Sequence, residues 1–243
     1  SYTGWQVGFD KSHEVSSGKF HTGVMINYLD SNPSYHSGSG KLYSTGVGVY
    51  GSWIGNNNHY VDLAIRGSNL HNDYSLLDNS GTQVSGKYDA WAYGVSAEYG
   101  YRAKLKNNWT IEPQVELSLG HIGSGNHTTS SGLEVSQSSI NTSVGRIGIL
   151  FGKDFGSENK KGNAYFKASW IHDFSGDGTL TGAFQGDQAN LKTAQHQGSG
   201  LELNVGTNLK INNKVDTYFE LSKTFGAPVD TNWQLNGGIR INW

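Results

Sequence analysis

The stretch "WTIEPQVELSL" (109–119) decides how the rest of the chain is read. Its alternate residues separate into Trp109, Ile111, Pro113, Val115, Leu117 and Leu119 against Thr110, Glu112, Gln114, Glu116 and Ser118. A repeat of two is the mark of a strand with one oily and one wet face. The preceding "AWAYGVSAEYGYRA" (90–103) does the same, with Trp91, Tyr93, Val95, Ala97, Tyr99 and Tyr101 opposing Gly94, Ser96, Glu98, Gly100 and Arg102. Every charge in both stretches falls on the wet face.

Working outward, twelve such segments recur, at 2–10, 19–29, 43–54, 59–69, 88–105, 109–122, 140–153, 163–174, 178–186, 199–211, 215–225 and 232–243. Turn-forming clusters separate them, among them "GNNN" (55–58), "KNN" (106–108), "SGDG" (175–178) and "NNK" (212–214). Three longer polar stretches, 71–86, 123–139 and 186–197, read as mobile loops. The partition of charge holds throughout. Asp62, Arg66, Glu98, Arg102, Glu112, Glu116, Arg146, Lys167, Glu202, Lys210, Glu220 and Arg240 share one face. Lys223 is an exception, near a strand end, where a long side chain can snorkel to an interface.

Composition agrees with an all-β chain. Glycine is abundant (34 of 243 residues), proline is scarce (3), and no amphipathic helical stripe of useful length occurs. A net charge of -2 gives no basic excess for a nucleic-acid partner. The absence of cysteine excludes disulfides and thiolate metal sites, and the nine histidines lack metal-ligand spacing with a third ligand. No metal and no cofactor is therefore expected. No apolar run approaches the ~20 residues of a membrane helix. The low mean hydropathy of -0.52 also suits a membrane barrel, whose wet interior offsets its oily exterior. The chain lacks an initiating methionine and a signal-peptide pattern, so it reads as a mature fragment.

Alternation alone fits a soluble sandwich or a membrane barrel. Three details favour the barrel. Small residues (Ala97, Gly145, Ala164, Ala168) occupy oily-face positions, where they would fill a sandwich core poorly. Tryptophans Trp5, Trp53, Trp91, Trp109, Trp170 and Trp233 lie toward strand ends, as in two interfacial girdles. The strand count is even. The sorting is also enforced by energy, since Arg or Lys at the lipid midplane costs ~2–4 kcal/mol. The fold expected is a single domain over 1–243, a 12-stranded antiparallel transmembrane β-barrel with a polar, charged lumen. On its lumen face, Gly46, Gly48, Gly94, Gly100, Gly148 and Gly206 are expected to widen the passage.

The order of segments resembles the translocator β-domain of autotransporters, the type V secretion proteins of diderm bacteria. The resemblance runs through "GWQVGFD", "YGSWIGNNNHYVDLAIRGS", "GVSAEYGYRAKLKNNWTIEPQVELSLG", "GLEVSQSSINTSVGRIGILFGK", "AYFKASWIHDFSGDG" and "TYFELSKTFGAPVDTNWQLNGGIRINW". It implies an outer-membrane barrel with both termini on the periplasmic side, through which an N-terminal passenger reaches the cell surface. The implied partners are the lipid bilayer with its lipopolysaccharide, the chain's own passenger and linker helix, and the barrel-assembly machinery. A monomer is expected. Ile239, Ile241 and Trp243 occupy the C-terminal pattern that this machinery recognises, with Trp standing where Phe is commoner. The linker helix that usually precedes the first strand has no counterpart here, and connection lengths do not alternate short and long as the family's should.

No catalytic site announces itself. The lumen charges read as a bracing network in which Glu112 and Glu116 pair with Arg102 and Arg146 on adjacent strands. The sharper reading makes Glu112 or Glu116 an acid or base in self-cleavage of the linker, as in some family members. Two alternatives stand beside the translocator: an outer-membrane barrel enzyme, protease or lipase, with a site at its rim, and a soluble carbohydrate-binding β-sandwich.

Overall fold

The structure, a computed structural model, describes residues 1–157, 160–174, 178–192, 197–227 and 231–241. In chain order the strands are β1 (Tyr2–Val15), β2 (Gly18–Ser31), β3 (Ser34–Tyr35), β4 (Gly38–Gly55), β5 (His59–Leu77), β6 (Gln83–Tyr101) and β7 (Ala103–Lys104). After a 3-10 turn at Lys106–Asn108 come β8 (Trp109–Ile122), β9 (Gly125–Thr128), β10 (Glu134–Gln137), β11 (Ile140–Ser157) and β12 (Lys160–Asp173). The chain continues through β13 (Thr179–Phe184), β14 (Asp187–Lys192), β15 (Gly198–Lys210), β16 (Val215–Phe225) and β17 (Gln234–Ile241).

Eleven long strands form one antiparallel sheet, in the order β1-β2-β4-β5-β6-β8-β11-β12-β15-β16-β17. Each neighbour along this path is also the next long strand in sequence. The sheet curls until its edges face one another: the Tyr2 hydroxyl donates to Gln234 Oε1 at 2.6 Å, and Arg240 reaches Asp10. A second sheet, β14-β13-β10-β9, is built from two connections at one end.

Burial is inverted relative to a soluble protein. Among the described residues only Met25 and Ala90 are buried hydrophobics, whereas the polar Ser44, Thr110, Glu112, Ser169, Asn204 and Ser222 are buried. Val205 is 58% exposed and Ile147 59%, but Glu112 only 3%. From Trp91 to Tyr99 exposure alternates without a break, odd positions exposed and even ones partly buried. The oily set covers the outside and the charged set lines the inside. A carbohydrate-binding sandwich, which needs an apolar core, does not fit this arrangement.

The oily belt has the height of a bilayer core. Trp91 and Tyr101 are ten residues apart on β6 and both face outward. At ~3.4 Å per residue and a tilt of ~40°, that is roughly 26 Å along the membrane normal. Trp5, Trp91, Trp170 and Trp233 lie toward one rim and Trp109 toward the other, all exposed, with Trp53 half-buried beside that second rim. Lys223 keeps its outward place by stacking: its Nζ lies 5.0 Å from the Phe225 ring centroid and 4.8 Å from that of Trp233. Lys153 does the same over Trp109 at 5.1 Å.

Several sequence expectations change. The segment at 178–186 is β13 of the smaller sheet and does not span, because six residues fall short of the ~9–11 a crossing needs. Eleven long strands, not twelve, therefore make the wall among the described residues. The polar stretches read as loops are largely strand. β5 runs on to Leu77 and β6 begins at Gln83, and the other two stretches contain β9, β10 and β14. Above the lipid both faces of a ribbon are wet, so backbone pairing continues where the apolar alternation has faded.

Connection lengths alternate in part, since 78–82 at the rim of the long connections is shorter than 102–108 at the other. Residues 16–17, 56–58 and 211–214 make short turns at one rim, whereas the connections containing β9, β10, β13 and β14 all rise from the other. Short turns mark the periplasmic rim. Eleven crossings among the described residues put Ser1 at the long-loop rim and Ile241 at the short-turn rim. The "SGDG" turn lies mostly outside the described residues, as does Trp243.

Candidate functional site

The lumen wall gathers the chain's ionised groups. Register sets Asp62 opposite Glu98, Glu98 opposite Glu116, and Glu116 opposite Arg146, one row across four neighbouring strands. Three carboxylates side by side repel, and Glu98 and Glu116 each find a donor that offsets this. Arg146 pairs with Glu116 and stands 3.6 Å from Glu202, reaching across β12. Ser118 Oγ donates to Glu116 at 2.9 Å, and the Tyr60 hydroxyl donates to Glu98 at 2.8 Å. Four residues nearer the periplasmic rim, Arg102 Nε donates to Glu112 at 2.5 Å, and Gln114 Nε2 donates to the other Glu112 oxygen at 2.8 Å.

Asp62, Arg66, Glu98 and Glu116 also line one cavity of about 340 Å³ with Gln6, Tyr50 and Ser96. Lys210 and Arg240 line a second with Asp154, Asp216 and Tyr218. Glu220 accepts from the Tyr165 hydroxyl at 2.8 Å, and Lys167 sits opposite Asn204. The twelve predicted charges thus sit on the lumen side but in more than one cluster.

Two components escape a reading by charge alone. Asp10 is the partner of Arg240 and also accepts from the Tyr50 hydroxyl at 2.9 Å. Alternation in "GWQVGFD" already sets Asp10 on the face of Gln6 and Gly8, so that signal was present. The tyrosines gave none, because a phenol suits either face.

Each of these phenols lies over a glycine directly opposite on the next strand: Tyr60 over Gly100, Tyr165 over Gly206 and Tyr50 over Gly23. A Cβ at Gly100 or Gly206 would come within 2.4 or 2.3 Å of the ring. Most of the lumen glycines therefore do not widen the passage; they receive a neighbour. Gly46, Gly48 and Gly148 are likewise covered, by Ser68, Met25 and Ser169, and of the six only Gly94 has room for a Cβ, which would stand 3.6 Å from the Leu119 carbonyl oxygen.

No described group of three or more His, Asp or Glu could hold a metal. Ile239 and Ile241, the described part of the C-terminal pattern, point outward and are 73% and 62% exposed.

Comparison with known proteins places this wall. The family model described as the autotransporter beta-domain matches residues 1–222. The chain is 28% identical over 242 residues to the pertactin autotransporter of Bordetella parapertussis, covering 99% of this chain and 26% of that protein. It therefore spans about a quarter of the length of this relative. The solved β-domain of the Bordetella autotransporter BrkA superposes with a TM-score of 0.85 at 23% identity, over 100% of this chain and 90% of that one. The transport unit of AIDA-I from Escherichia coli gives 0.74 at 16% identity, over 100% and 82%. Inverted burial, two aromatic girdles and a lumen of paired charges are the physical counterpart of that match, and the chain belongs to the autotransporter β-domain family of outer-membrane β-barrels.

Proposed function

We propose that the barrel anchors its protein in the outer membrane and that its lumen passes the N-terminal passenger to the cell surface. The carrying observation is the lumen wall itself, where Glu98, Arg102, Glu112, Glu116, Arg146, Glu202, Glu220 and Arg240, eight of the twelve lumen charges, are paired or hydrogen-bonded to the wall. An extended polypeptide sliding past such a surface meets hydrated, already satisfied groups and has nothing oily to stick to. The work is physical. Glu112 and Glu116 are engaged by Arg102 and Arg146, which suits bracing better than proton transfer in self-cleavage.

The passage also needs a closed wall. β1 and β17 run in the same direction, since the contacts Tyr2–Gln234 and Asp10–Arg240 advance together along both strands. No backbone ladder joins them among the described residues. A cleft of about 1460 Å³ separates them, lined on its outer side by Phe9, Val24 and Ile239 and on its inner side by Asp10, Thr22 and Arg240. An open edge does not persist in hydrocarbon. One strand antiparallel to both edges would close it, and chain upstream of Ser1 would enter it from the outer rim. The domain of 1–243 is on this reading the greater part of a twelve-stranded monomeric barrel, and Ile239, Ile241 and Trp243, the first two facing outward, are its handle for the assembly machinery.

The experiment places an epitope-tagged passenger upstream of the natural chain and measures surface display. Arg146→Leu is expected to lower display together with barrel assembly, and removal of Trp243 to lower assembly. Undiminished display from a barrel whose lumen is blocked by a cross-link would defeat the passage. A Phe9→Cys, Ile239→Cys pair tests the seam: it stays unlinked in the full chain if a strand lies between, and links if the edges meet directly.

A further inference from the structure

The outer four-stranded sheet takes no part in the reading so far, yet it is fastened to the wall at a chemically specific point. On β5 and β6, the alternation that turns Val61 and Val95 outward turns Tyr74, Gly86 and Tyr88 toward the lumen. His127 of β9 lies against those inward groups. Its ring stacks on Tyr88 with centroids 5.0 Å apart and planes 12° from parallel. It meets Tyr74 edge-on, and Nε2 is 2.6 Å from the Tyr74 hydroxyl. Gly86 makes the room, since a Cβ there would stand 2.8 Å from Nε2. The fastening continues on either side: the Tyr88 hydroxyl donates to Gln137 of β10 at 3.2 Å, and the Ser130 amide donates to the Ser85 carbonyl at 2.8 Å.

We propose that β9, β10, β13 and β14 form a lid over the outer mouth of the lumen, latched by neutral His127 and released when external acid protonates that ring. The neutral imidazole suits its seat. Nδ1 is buried with no partner, so an added proton there would be a charged donor without an acceptor. In the charged ring both nitrogens carry a proton, so at Nε2 the Tyr74 hydroxyl can only accept. The facing groups are the phenols Tyr74 of β5 and Tyr88 of β6, with Tyr35 of β3 acting on both, and none is anionic near neutrality. Glu134 of β10 pairs with Thr128, on the opposite side of the small sheet from His127 and its partner Val135. Burial accordingly holds the His127 pKa below its ordinary 6.5. The undocked ring binds a proton more readily than the docked one, so the latch is at full strength above pH 6.5 and weakens as pH falls through that value.

This deepens the translocator reading and rests on it, because a lid matters only over a passage. Residues 1–243 contain no cysteine, so nitroxides placed at Leu77→Cys on the wall and Ala183→Cys on the lid are the only labels within the domain. In the full-length protein a single short distance is expected at pH 7.5. A longer population should grow below pH 6.5 and dominate by pH 4.5. His127→Phe, which keeps a ring on Tyr88 and takes no proton, should stay closed at both. Tyr88→Leu, which removes the stack, should open already at pH 7.5. An unchanged distance in the wild type down to pH 4.5, or acid opening in His127→Phe equal to that of the wild type, would overturn the latch. Bilayer conductance of the same preparations separates the two readings: a lid that swings with no rise in conductance keeps the latch and removes the passage.

Discussion

At the scale of single residues, the wall is fitted by pairs of opposite size. Tyr165 occupies the space that Gly206 leaves and from there reaches Glu220, so one glycine positions a phenol and the phenol satisfies a carboxylate. Gly206→Leu is expected to eject the ring and destabilise the barrel by about 1–3 kcal/mol through overpacking, with loss of the Glu220 bond in addition. The temperature at which heat-modifiable migration in detergent is lost measures this. Tyr165→Phe, which keeps the ring and drops the bond, should give a smaller fall. The outward lysines follow a second residue-scale rule. Lys223→Met should be nearly silent, because Lys223 already rests on Phe225 and Trp233 at the rim. Ile147→Lys, in the middle of β11, should cost ~2–4 kcal/mol.

Among elements, β8 and β11 carry the decisive contact. Their ladder runs from Ile140 opposite Ile122 to Lys153 opposite Trp109, and it sets Arg146 beside Glu116. Removing the arginine alone leaves the row of Asp62, Glu98 and Glu116 without its cation. Arg146→Leu is therefore expected to be severe, on the order of 3–5 kcal/mol for a largely buried pair. The double variant Glu116→Gln, Arg146→Leu should recover a large part, and equal losses in single and double variants would deny the coupling. This ladder was legible beforehand, since alternation fixed both faces and the pairing of Glu112 and Glu116 with Arg102 and Arg146 followed from neighbouring strands. Segment 178–186 was not legible. "TLTGAF" alternates well enough to read as a wall strand, and only its pairing with β10 and β14 shows that it rises clear of the lipid.

For the whole molecule, the governing fact is that solvent quality is reversed: oil outside, water within. Nitroxides at Leu117 and Ile149 should be broadened by lipid-soluble oxygen, and those at Glu116 and Arg146 by a water-soluble relaxant. The opposite pattern would invert the barrel. Global shape also explains why two expectations about the ends and the lumen moved. Eleven crossings put Ser1 and Ile241 at opposite rims, and strand curvature brings facing side chains close enough to fill most glycine gaps.

The sequence by itself determined which face of each strand meets lipid, where the interfacial tryptophans stand, and that charges are gathered on one side. Those properties belong to a period of two and to transfer energies, which act residue by residue. Only the tertiary structure decided how many strands span, which tyrosine covers which glycine, that Asp10 answers Arg240 from the far end of the chain, and that His127 is held between two phenols. Each of these depends on register and closure between segments distant in sequence, and a local pattern contains no information about its partner across the sheet.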